Sequence, residues 1–311
     1  MSEIFERSQD GFAVVGLRSA DLELALVPEL GAKIISLKSV RSGHEWLWHP
    51  GDPEANVKLF RNKTGDDFAS STMTGIDECI PTISPCPWRG RNLPDHGEVW
   101  SVPWRLDRAA LARQEVATRV DLPLSPLTLE RRLTLTGTEL RFGYSLTNRG
   151  TDVEEYLWAI HPLLSIGAGD RVELPEEVRA LRLENAGNPD GARGETWAWP
   201  RPHEGVDLTR LDIKDNRSSK IKGFAEALQH GWAKLHSAAA RQTLTMRFDP
   251  AKLNTLGFWL TRGGWNGYHH LALEPTNGAP DRLDLAVTQW RRYASIAPGR
   301  AATWDMLWAI G

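Results

Sequence analysis

Three segments hold most of the side chains placed to move protons. Thr74 to Trp100 carries Asp77 and Glu78, then a proline-rich loop, then Asp95-His96-Gly97-Glu98. Trp158 to Pro162 carries His161, and Leu271 to Asp281 carries Glu274 in the run Leu-Ala-Leu-Glu-Pro. An imidazole and a carboxylate can serve together near neutral pH, the acid protonated while the base is ionised. On an extended strand Ala272 and Glu274 share one face, and Leu271 and Leu273 the other. Pro275 restricts Glu274 to extended backbone and ends the ladder, fixing a carboxylate at a strand end. Pro162 imposes the same geometry on His161, inside an apolar run. Burial there would lower the pKa of His161, and a nearby carboxylate would raise it.

Each residue also has a plainer reading. Glu274 is an exposed strand-end glutamate, His161 a satisfied core histidine, and His96 a loop histidine capped by Asp95. Asp77 and Glu78 either accept hydrogen bonds from a polar ligand or are neutralised by Arg89 or Arg91. Other chemistries lack their motifs. There is no G-x-S-x-G elbow and no Walker A sequence, and Gly167-Ala168-Gly169 has Val172 where a dinucleotide fingerprint needs glycine. His269 and His270 are adjacent, so in a strand they point to opposite faces and cannot share a metal. Cys79 and Cys86 do not have zinc spacing and read as reduced thiols. Neither a metal nor a cofactor is expected.

The elements that must position these residues are strands. Phe12–Leu17, Leu22–Val27 and Ala32–Lys38 alternate with period two and are separated by turn residues. The clearest hairpin is Leu129–Leu135, a turn at Thr136-Gly137-Thr138, then Leu140–Leu146, whose even positions are apolar. Further strand-like runs fall at Gly231–Leu235, Gln242–Phe248, Thr255–Leu260, Tyr268–Leu273 and Ala302–Ile310. Residues 184–218 are irregular and read as a surface excursion, and the best helical candidate is short, Asp281 to Gln289 with Asp281 as N-cap. The expectation is an all-β chain, residues 1–311 forming one large sandwich with few short helices. A net charge of −3 gives no electrostatic reason to expect nucleic acid or an anionic membrane as partner. No apolar run approaches the roughly 20 residues of a membrane span, and the start lacks the pattern of a secretory leader, so a cytoplasmic monomer or homodimer is expected.

Taken together, the three segments resemble the aldose 1-epimerase (galactose mutarotase-like) superfamily. The match rests on Glu274 followed by Pro280-Asp281, on a histidine before glycine at His96-Gly97, and on a strand histidine at His161. The match at His161 is partial, since Ile160 precedes it where the family often has asparagine. The family's arginine motif has no clear counterpart either, Phe60–Gly65 lying nearest, which marks a divergent branch. The resemblance implies a large twisted antiparallel β-supersandwich, no cofactor, and a small-molecule sugar as partner. It further implies Glu274 as the base that takes the anomeric proton, His161 as the acid that supplies the ring oxygen, and His96 as a substrate-holding residue. Asp77 and Glu78 would accept hydrogen bonds from sugar hydroxyls. Two other functions fit the same residues: a carbohydrate-binding or regulatory protein without catalysis, and a glycoside hydrolase using paired carboxylates such as Glu78 and Glu274. The 14 tryptophans suit sugar stacking, but most are expected in the core.

Overall fold

The strand periodicities resolve into two large antiparallel sheets, seen in a computed structural model that describes residues 2–51, 57–63, 65–186, 191–211 and 219–311. One sheet has eleven strands and the other eight. Along each strand alternate side chains turn inward, and those of both sheets merge in one apolar cluster. Leu24, Ile160, Leu271 and Leu273 from the larger sheet belong to it together with Leu133, Phe142 and Trp308 from the smaller. Fully burying side chains of this size is worth about 1.5–3 kcal/mol each before entropy is counted.

The hairpin lies where alternation places it. Leu127–Thr136 pairs with Glu139–Asn148 in a register that sets Leu133 opposite Phe142, and Leu140, Phe142, Tyr144 and Leu146 are buried. Gly137 turns the chain at φ 56°, a backbone state in which glycine carries no side-chain penalty.

The expected excursion over 184–218 is only partly one. Ala180–Ala186 and Thr196–Ala198 pair with each other, and the first also pairs with Ser219–Glu226, so all three extend the larger sheet. Lysines and a glycine in Ser219–Glu226 mask its period-two pattern. Residues 187–190 and 212–218 lie outside the described residues. The helical segment starts later than expected, as a turn at Leu283–Leu285 running into a π-helical turn at Ala286–Trp290. Arg282 holds the N-cap position without a side-chain bond, and Asp281 is free to face elsewhere.

Among the described residues no helix is long and apolar enough to cross a membrane. Both cysteines are free and buried. Eight of the 14 tryptophans are buried, and Trp46, Trp158, Trp304 and Trp308 are among those in the main core.

Candidate active site

Five neighbouring strands of the larger sheet build the site floor: Ile76–Cys79, Ala159–Pro162, His269–Thr276, Thr255–Arg262 and Ser219–Glu226. His161 pairs with Asp77 on one side. The pairing of Ala159 with Thr276, continued antiparallel, brings His161 beside Glu274 on the other. Glu274 pairs with Gly257, and Gly257 with Phe224. Residues directly opposite one another share a face. Asp77, His161, Glu274, Gly257 and Phe224 therefore form one row on the face turned away from the sandwich core.

Glu274 and His161 meet as the sequence suggested. His161 Nε2 lies 3.6 Å from Glu274 Oε1, and both residues are buried. Pro275 does not end the ladder, since the strand runs on to Thr276 and Glu274 sits within the sheet rather than at its rim. The second carboxylate oxygen, Oε2, pairs with the ammonium of Lys222, reaching it across Gly257. A methyl group at Gly257 would stand 2.7 Å from Oε2; the missing side chain is what lets carboxylate and ammonium meet. Lys222 Nζ also lies 3.6 Å from Asp281 Oδ1.

A cavity of about 410 Å³ opens above this row, within the range of small-molecule sites. His96, His161, Lys222 and Asp281 reach it, with Trp259 and Trp265 on one wall and Phe68 on another. Glu274 lies just beneath, shielded by Lys222 and His161. Two of the floor's buried polar atoms, His161 Nδ1 and Glu274 Oε1, have no hydrogen-bond partner within the protein. Such atoms cost free energy unless something binds them.

His96 comes from the proline-rich loop in a left-handed conformation, φ 55°, followed by Gly97 at φ 76°. Gly97 abuts the Ile80 carbonyl so closely that no side chain fits. The His96 N–H donates to Ile83 O at 2.6 Å and the Glu98 N–H to Ile80 O at 2.8 Å, which pins the turn. The imidazole stacks on Phe68 at 3.8 Å, meets His161 edge-on at 5.1 Å, and has Nδ1 3.0 Å from Asp95 Oδ1. The contact with Asp95 expected of a loop histidine is made, and His96 borders the cavity as well.

Asp77 and Glu78 part company. Asp77 shares the face of His161, is buried, and pairs with Lys33 rather than with Arg89 or Arg91; it supports the floor from one strand away and does not reach the cavity. Glu78 points to the opposite face, into the core between the sheets. There it accepts from Arg131 Nη1 at 2.9 Å, Tyr144 Oη at 2.8 Å and Trp158 Nε1 at 2.9 Å. Glu78 is therefore not placed to hold a ligand, and the sheet separates it from Glu274, which removes these two as the carboxylate pair of a hydrolase. Arg89 and Arg91 pair with Glu155 and Glu154.

Burial sets the protonation pattern. It raises Glu274 above the ordinary glutamate range, opposed by the charge of Lys222. It pushes His161 well below the usual imidazole value, assisted by the positive groups around it, first His96 and then Lys222. Lys222 is driven down by burial, but Asp281 and Glu274 outweigh that and hold it above the usual lysine range. His270 is lowered to about 3, by burial and then by His269. Its Nε2 accepts from Trp259 Nε1 at 3.0 Å, which fixes a neutral tautomer in the wall.

Lys222, Asp281, Gly257 and the indoles of Trp259 and Trp265 were not singled out in the sequence as site residues. Asp281 carried the one usable signal, the Pro-Asp element after Glu274. Lys222 carried none, since a lysine alternating with Lys220 on a strand reads as a solvent-facing residue.

No protein-family model matches the sequence, and no curated protein sequence matches it. Solved structures do match, over nearly the whole chain. A galactose mutarotase-like protein from Lactobacillus casei aligns with 96% of this chain and 100% of its own at TM-score 0.68 and 16% identity. A galactose mutarotase-like protein from Clostridium acetobutylicum aligns with 99% and 98% at TM-score 0.68 and 12% identity. A galactose mutarotase related enzyme from Lactobacillus acidophilus aligns with 99% and 97% at TM-score 0.65 and 13% identity. The chain has the galactose mutarotase-like fold, as the three segments implied.

Proposed function

We propose that this protein is a cofactor-independent aldose 1-epimerase that interconverts the α and β anomers of a hexose or related sugar. The observation that carries the reading is the 3.6 Å approach of His161 Nε2 to Glu274 Oε1 beneath a cavity of small-molecule size. Ionised Glu274 takes the proton of the anomeric hydroxyl while His161 gives one to the ring oxygen. The bond from the anomeric carbon to the ring oxygen breaks, and the open-chain carbonyl forms. Rotation about the adjacent C–C bond and reversal of both transfers return the other anomer, with no net change in protons. The reactive form has Glu274 charged and the extra proton on His161; burial works against both charges, and Lys222 offsets it at Glu274. His96 holds the sugar near its anomeric end, and the Trp259 and Trp265 indoles offer apolar faces to the ring.

Exchange NMR on a panel of reducing sugars tests the proposal. Acceleration of α/β exchange above the buffer rate for at least one sugar is the expected outcome. A second reading, a carbohydrate-binding protein without turnover, is favoured by one feature, the shielding of Glu274 under Lys222 and His161. Saturable sugar binding with exchange at the buffer rate would replace the first reading by the second.

Gly257→Ala provides a geometric check. Its methyl group would displace the Glu274 carboxylate from Lys222, and misplacement of about 1 Å at a reacting group costs about 100-fold in rate. We expect exchange to fall by about that factor, with the thermal midpoint lowered as well because a buried ion pair is disturbed. A Gly257→Ala protein as active as wild type would show that the Glu274–Lys222 contact is irrelevant to turnover.

A further inference from the structure

Lys222 stands outside the acid–base pair, yet its ammonium is the group in closest contact with Glu274. It is buried, it borders the cavity, and it lies between two carboxylates, paired with Glu274 Oε2 and 3.6 Å from Asp281 Oδ1. Asp281 Oδ1 has no hydrogen-bond partner within the protein. We infer that Lys222, shared between Glu274 and Asp281, is a positioning residue that sets the charge and the availability of Glu274. This rests on the reading of Glu274 as the base.

The geometry gives each member a distinct part. A carboxylate buried this deeply would otherwise take up a proton and lose its value as a base. Lys222 keeps it ionised, and the gap at Gly257 lets the two meet. Asp281 then prevents the ammonium from being stranded, because once Glu274 accepts the anomeric proton the cation still has an anion within reach. Asp281 also weakens the hold of Lys222 on Glu274, which keeps Glu274 basic enough to act. Other ionisable groups around Glu274 are His161 from the adjoining strand, His96 from the loop, Cys79 and the Asp77–Lys33 pair beyond His161, and the Glu184–Arg193 pair beside Asp281. None of these cations touches the Glu274 carboxylate as Lys222 does.

The two partners of Lys222 predict opposite effects, which a merely structural role would not produce. Titration of Glu274 is followed by NMR on protein carrying 13Cδ-labelled glutamate, with Glu274→Gln assigning the resonance. Lys222→Met is expected to move the Glu274 midpoint up by about one pH unit or more. Asp281→Asn is expected to move it down, and Lys222→Arg to leave it near wild type. In the wild type and in Asp281→Asn the acid limb of kcat/KM should follow the same midpoints, with the change appearing in kcat more than in KM. An unchanged midpoint in Lys222→Met, or a shift of the same sign in Asp281→Asn, overturns the inference. Should Lys222→Met fail to fold, Asp281→Asn against Lys222→Arg decides alone, and absence of a downward shift is then fatal. The titration needs no turnover, so a wild-type protein that accelerates no sugar removes the epimerase reading while Lys222 is still judged on its own data.

Discussion

Glu274→Gln is expected to lower the rate of anomer exchange by about 10²–10⁴-fold, the range that a positioned general base supplies. Glutamine matches the size of glutamate, and its carbonyl oxygen can still accept from Lys222, which also keeps Asp281 within reach. What is lost is the capacity to take a proton. Glu274 lies beneath the cavity rather than on its wall, so sugar affinity should change little and the loss should fall on kcat. Exchange NMR or polarimetry gives the rate, and calorimetric titration with the same sugar gives the affinity. A glutamine variant with full activity ends the catalytic assignment. With Glu274 as the proposed base, wild-type activity is expected to require its ionised form and to be lost as pH falls through its pKa. Because burial raises that pKa, the loss should begin above the pH range of an ordinary glutamate.

The parts of this site that could be read in the sequence were those governed by one strand at a time. Alternation placed Glu274 away from Leu271 and Leu273, and X-Pro geometry marked His161 and Glu274 as extended. The same rule, applied to Asp77 and Glu78, would have separated them: neighbours in a strand face opposite sides. The proline-rich loop hid the strand, because Ile76–Cys79 is short and stops just before Pro81. Lys222 was illegible for a different reason. Its meaning depends on which strands are neighbours, and on a glycine in the strand between it and Glu274, neither of which local pattern reveals. The counter-ion of Glu78 is 53 residues away on the other sheet, and no spacing rule reaches it.

That counter-ion makes the second large prediction one of stability. Glu78 and Arg131 are both fully buried between the sheets. Arg131 also donates to the Ala32 carbonyl and lies 5.3 Å from the Trp104 ring centre, while Glu78 takes further bonds from Tyr144 and Trp158. Removing one partner of a buried pair strands the other charge in a medium that cannot solvate it, at a cost of about 3–5 kcal/mol. Arg131→Met and Glu78→Gln are each expected to cost about that much in urea or thermal unfolding. The double variant leaves no stranded charge and should be more stable than the sum of the single losses predicts, with a coupling of about 1–3 kcal/mol. Single losses below about 1 kcal/mol, or strict additivity, would show that the pair is not sealed from water. The consequence reaches the site, because Trp158 stands on the approach to the His161 strand and Glu78 adjoins Asp77 in the next one. A folded Arg131→Met protein should therefore exchange anomers more slowly than wild type, although Arg131 lies on the far side of the sheet from the cavity.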